Sequence, residues 1–176
     1  KAEWATFAWT AILAVSYLAV MIAGPIVGAY ADARAAKKRV LMVVTAGCVV
    51  STALLFEAGP GTIVWAAVLI IISNFCYAIG ENITAAFLPE LARPESLGKV
   101  SGWGWSLGYV GGLVALGLCL AWIMTAPSRG QTTSQAVPAT SLITAGVYLL
   151  GAMITFIWLK ERAVPPAPAA VSAANA

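Results

Sequence analysis

The chain has 176 residues, 61% of them hydrophobic and only 10% charged, with a formal net charge of +3. A soluble domain carries about 25% charged residues, and a fold of this size cannot hide so much apolar surface from water, so the expected solvent is a lipid bilayer. The few bases cluster between apolar runs, which argues against a nucleic-acid partner. Histidine is absent and Cys48, Cys76 and Cys119 lie in separate apolar runs, so the sequence offers no metal, cofactor or disulfide pattern.

A membrane-crossing helix needs about 20 mainly apolar residues. Five runs qualify, over about 7–31, 40–56, 62–88, 101–125 and 139–159. The expected fold class is an all-α integral membrane bundle of about five transmembrane helices within 1–162, followed by a disordered Pro/Ala-rich tail over 163–176. The first run is too long for the core of a signal peptide, and the chain begins at Lys1. We expect a retained helix from a chain whose beginning has been lost.

The first run ends in GPIVGAYADARAAKKRV, residues 24–40. Gly24 and Gly28 stand four apart, as in small-xxx-small helix packing. Asp32 can cap or pair at a helix end, and the bases after it suit the inner headgroups. The second run closes at Glu57-Ala-Gly-Pro-Gly, a turn by composition.

The third run has Asn74 near its middle, flanked by Ser73 and Tyr77. An amide at that depth needs a partner or a ligand, and the commoner outcome is a hydrogen bond to a neighbouring helix. Glu81 is the acid inside that run; intramembrane acids mark an ion or proton path, or else reach the interface to pair with a base such as Arg93 or Lys99. Asn74, Tyr77 and Glu81 are the candidates for a substrate or proton path. Asn82-Ile83-Thr84 matches a glycosylation triplet by chance.

In the fourth run Gly104, Gly108 and Gly112 form a bare ridge at i, i+4 and i+8, surrounded by Trp103, Trp105 and Tyr109. Its spacing is wrong for a dinucleotide loop, and it reads as a helix-packing surface. Lysines and arginines then set the orientation. Eight (Arg34, Lys37, Lys38, Arg39, Arg93, Lys99, Lys160, Arg162) fall on one side and two (Lys1, Arg129) on the other. Loops 32–39 and 89–100 and the C-terminus are expected in the cytoplasm. A start outside and an odd number of spans suggest one more helix before residue 1.

Gly28-x-x-x-Asp32 followed by Lys37-Lys38-Arg39 resembles the loop between helices two and three of the major facilitator superfamily, roughly G-x-x-x-D-R-x-G-R-[KR]. Ala33, Ala35 and Ala36 replace the usual Arg, Gly and Arg. Residues 86–112, AFLPELARPESLGKVSGWGWSLGYVGG, resemble the vacuole-effluxer-like subfamily, which includes autophagy-related amino-acid permeases and bacterial relatives. The matching elements are Phe87-Leu88-Pro89-Glu90, Pro94-Glu95, Gly98, Val100-Ser101-Gly102, Gly104-Trp105, Gly108-Tyr109 and Gly111-Gly112.

The resemblance implies that the five spans are helices two to six of a twelve-helix transporter, an incomplete N-terminal half at a bacterial inner membrane. It implies alternating access on a small polar solute, an amino acid or peptide, with Gly28, Asp32, Lys37, Lys38 and Arg39 in an inside gate. The glycine ridge would face a missing second half or partner subunit. Two alternatives stay open: a sugar or drug exporter of the same superfamily, and a membrane scaffold that transports nothing. An enzyme is not expected, because the sequence has no cluster of catalytic groups, and Glu90 and Glu95 read as a solvated loop.

Overall fold

The computed structural model describes residues 2–59 and 61–161; Lys1, Arg162 and the expected tail over 163–176 lie outside the described residues. Five helices make up the bundle: α1 (Ala2–Ala33), α2 (Lys37–Leu54), α3 (Ile63–Leu91), α4 (Leu97–Met124) and α5 (Thr133–Trp158). One 3₁₀ turn, Leu55–Glu57, extends α2, and two more, Pro94–Ser96 and Pro127–Arg129, lead into the connections around α4. All five helices are long and apolar enough to cross a membrane, and no strand occurs among the described residues.

Three prolines lie inside helices, Pro25 in α1, Pro89 in α3 and Pro138 in α5. Membrane helices tolerate them because neighbouring groups satisfy the freed carbonyls. At Pro89 this changes an expectation. The segment 89–100, expected as a loop, is mostly helical, with α3 running to Leu91 and a 3₁₀ turn opening at Pro94.

The turn from α1 to α2 is a tight C-terminal cap. Ala36 N–H donates to Ala31 O at 2.9 Å and Ala35 N–H to Asp32 O at 3.3 Å, the paired bonds of a Schellman motif. That motif places one residue in the left-handed region, and here it is Ala35, at φ 46°. The connection from α4 to α5 uses Gly130 at φ 67° and a reciprocal capping box between Thr132 and Gln135.

Packing centres on α3, which lies against α2 and α1, while α5 packs on α2 and α4. The buried core joins Ala31, Leu41, Ile79, Ile83, Phe87 and Leu159, with Val27, Val44 and Phe156 packed around it. These residues gather towards one end of the bundle, beneath the α1–α2 turn. Between α2 and α3 the approach is close enough that a Cβ on Gly47 would stand 2.9 Å from Cys76 Sγ. By contrast α4 contributes no buried residue. Most of its large apolar side chains, Leu113 and Leu116 among them, are exposed, as are Trp158 and Val64 at the ends of α5 and α3.

Candidate functional site

The charged cluster begins with Lys37, the first residue of α2. Its ammonium lies 3.1 Å from Asp32 Oδ1 at the end of α1 and 2.9 Å from Glu90 Oε1 at the end of α3. It also donates to Ala86 O at 3.2 Å. The Lys37 and Glu90 side chains are 12% and 15% exposed, and Asp32 is 64% exposed. One cation therefore bridges an inner and an outer carboxylate on two different helices. Low exposure makes the Glu90 arm the stronger one, because water screens it less.

Two consecutive lysines at a helix start oppose the helix dipole. Glu161 offsets this by accepting from Lys37 N–H at 2.6 Å and Lys38 N–H at 3.3 Å. Its carboxylate satisfies two of the donors that every helix N-terminus leaves without intrahelical partners. Lys38 returns the contact, with Nζ donating to Phe156 O at 3.0 Å and Leu159 O at 2.7 Å, carbonyls at the end of α5. The α2 start thus ties together the ends of α1, α3 and α5. Arg39 is exposed and takes no part in these bonds.

The residues expected in the turn are brought together only in part. Asp32, Lys37 and Lys38 join the cluster. Gly28 has no atom within 4 Å of the position of a Cβ, whereas the same position on Gly24 lies 3.7 Å from Asn82 Nδ2. Glu90, read from sequence as part of a solvated loop, is instead a largely buried ion-pair partner on the last turn of α3. Sequence reasoning missed it and Glu161, whose partners lie 53 and 124 residues away. Their one sequence signal is that each acid falls at the same end of an apolar run as Lys37.

A second feature is a cavity of about 420 Å³ between α1, α2, α3 and α5, within the range of small-molecule sites. Asn74 and Tyr77 both line it, with Ser73, Thr52, Tyr148 and Trp9, and none of its lining residues is charged. Asn74 Nδ2 donates to Ser16 Oγ across α1 and α3 at 2.6 Å, and Thr52 and Ser73 share a 2.7 Å hydroxyl contact. The Tyr77 and Tyr148 rings stand 6.4 Å apart. Glu81 does not line this cavity; it is exposed on α3 and forms no ion pair with Arg93 or Lys99 among the described residues. Glu90 lies thirteen positions after Tyr77 along α3, about 20 Å at the helical rise.

On α4, Gly104, Gly108 and Gly112 have no atom within 4 Å of a Cβ position, and Trp103, Trp105 and Tyr109 are exposed. The ridge is open along its length among the described residues. Cys48, Cys76 and Cys119 are free thiols.

Comparison with known proteins adds the lineage. The Major Facilitator Superfamily model matches residues 2–116, and the model described as Vacuole effluxer Atg22 like matches residues 95–175. No curated protein and no solved structure matches the chain. Five membrane-length helices, a charged turn between the first two and a family match over most of the sequence agree: the chain belongs to the Major Facilitator Superfamily, as a multi-pass membrane transporter protein of the vacuole-effluxer-like kind.

Proposed function

We propose that the chain serves a secondary active transporter that moves a small polar solute by alternating access, with the α1–α2 turn acting as a gate. The observation that carries this is the Lys37 bridge between Asp32 and Glu90. Alternating access needs contacts that form in one state and open in another, and a few kcal/mol of differential contact shifts such an equilibrium strongly. The bridge sits at helix ends, where a tilt of α1 or α3 relative to α2 separates its partners. Asp32, the exposed arm, is free to exchange Lys37 for another contact, while Glu90 and Ala86 O keep the lysine anchored. Gly28, Lys38 and Arg39 belong to the same turn.

The cavity supplies a place for solute. Its hydroxyls, the Asn74 amide and two tyrosines offer a few hydrogen bonds on a mainly apolar wall without a fixed charge, which suits a small solute with no net charge; amino acids and short peptides are the class the family resemblance implies. Glu81, outside the cavity and in no ion pair among the described residues, is the remaining candidate for proton coupling. The open ridge on α4 suits a moving interface with a second half of the transporter or a partner subunit. The excess of bases at the Lys37 end supports a cytoplasmic location for that end, and the bacterial members of the family it resembles support an inner-membrane location.

Counterflow of labelled amino acids, peptides and sugars in proteoliposomes tests the proposal, with wild type and Asp32→Asn compared at equal membrane insertion. We expect at least one solute to exchange and the variant to slow it by about tenfold, the scale of a coupling of 1–3 kcal/mol. Normal exchange by Asp32→Asn would remove the gate. Exchange of sugars alone would favour the exporter alternative, and no exchange of any solute would favour the scaffold.

A further inference from the structure

At the end of the bundle remote from Lys37, Arg129 is fixed over Trp122. Its guanidinium carbon lies 3.8 Å from the indole ring centroid. Nη2 donates to Trp122 O at 2.6 Å, Nη1 to Thr125 Oγ1 at 2.5 Å and Nε to Gln131 Oε1 at 3.3 Å. An arginine has five N–H donors; three are committed here, leaving two, one on each terminal nitrogen. The turn that presents Arg129 is itself held by Gly130 at positive φ and by the Thr132–Gln135 capping box.

Directly beside this cation runs a groove of about 380 Å³ between α4 and α5, lined by Leu118, Ala121, Trp122, Thr125 and Ile143. Trp122 and Thr125, which hold the guanidinium, also form its wall. The Trp122 Nε1–H is buried and has no acceptor among the described residues. Leaving such a donor unsatisfied costs about 1–3 kcal/mol. The groove thus combines an apolar channel between two membrane-length helices with a preorganised cation at its mouth.

We propose that this groove is a binding site for an anionic phospholipid, with one acyl chain along α4 and α5 and the phosphate on Arg129. Phosphate geometry matches the two free guanidinium donors. Charge complementarity selects the headgroup, because Arg129 is exposed and makes no ion pair among the described residues. The apolar wall selects a lipid over a free anion.

Native mass spectrometry of the full chain with phosphatidylglycerol or phosphatidylcholine reads this out. Wild type should retain phosphatidylglycerol about fivefold better, the scale of one basic side chain at a membrane surface. Arg129→Gln should abolish that preference, Arg129→Lys should keep part of it, and Lys99→Gln, on a base elsewhere in the chain, should leave it intact. Millimolar inorganic phosphate should not displace the lipid. Equal retention of the two lipids, an unaltered preference in Arg129→Gln, or displacement by phosphate would overturn the site. So would occupation of the groove by another helix or a second copy, seen as a lipid-free dimer.

Discussion

Lys37 and Glu90, 53 residues apart in sequence, meet at 2.9 Å with both side chains largely hidden from solvent. Asp32, only five positions from Lys37, makes the more exposed contact at 3.1 Å. The distant partner is therefore the stronger one.

Removing Lys37 and removing the Asp32 charge should then differ. Lys37→Ala removes a counter-charge from a largely buried carboxylate and should destabilise the protein by about 2 kcal/mol, as for a hydrogen bond to a charged group. Asp32→Asn should cost under about 1 kcal/mol, as for an exposed pair. Thermal unfolding in detergent compares the two, and equal losses would show that Glu90 is not the main partner.

Ala35 occupies the left-handed position of the Schellman cap. That conformation costs a non-glycine residue about 1–2 kcal/mol, while glycine returns about 0.4–1 kcal/mol through its freer unfolded chain. Ala35→Gly should stabilise the protein by about 0.5–1 kcal/mol. A rise in melting temperature checks this; a fall would mean that the turn does not hold Ala35 at positive φ.

Asn74 and Ser16 share an interhelical hydrogen bond at 2.6 Å. Such bonds inside membranes average about 0.6 kcal/mol and reach about 1.7. A double-mutant cycle of Ser16→Ala and Asn74→Ala should give a coupling in that range. If the bond also shapes the cavity, each single variant should alter solute exchange more than it alters stability.

Glu161 sits at the N-terminus of α2 and accepts from two of its backbone donors. Glu161→Ala should cost about 1 kcal/mol, the usual value of a cap. Glu161→Gln should recover part of it, since the amide oxygen still accepts but the charge facing the dipole is lost. Hydrogen exchange at Lys37 and Lys38 amides should quicken in both variants, and an unchanged rate would show that the cap is not formed.

The sequence by itself determined the solvent, the number of crossing helices and the family. These follow from composition, run length and local motifs such as Gly28-x-x-x-Asp32 and the glycine-rich start of α4. Each is a property of neighbouring residues and survives without knowledge of packing. The tertiary structure decided which acids answer Lys37, that Asn74 spends a donor on Ser16, and that Glu81 stands apart from the cavity while Tyr77 lines it. The helices are apolar on nearly every face because lipid and helix–helix contacts ask for similar side chains, so periodicity does not mark an inward side. Only the way α3 lies against α1 and α2 brings Glu90 to Lys37, and only the end of α5 brings Glu161 to the start of α2. The turn motif was legible because its bonds are local, whereas its partners depend on helix ends that meet across more than fifty residues of chain.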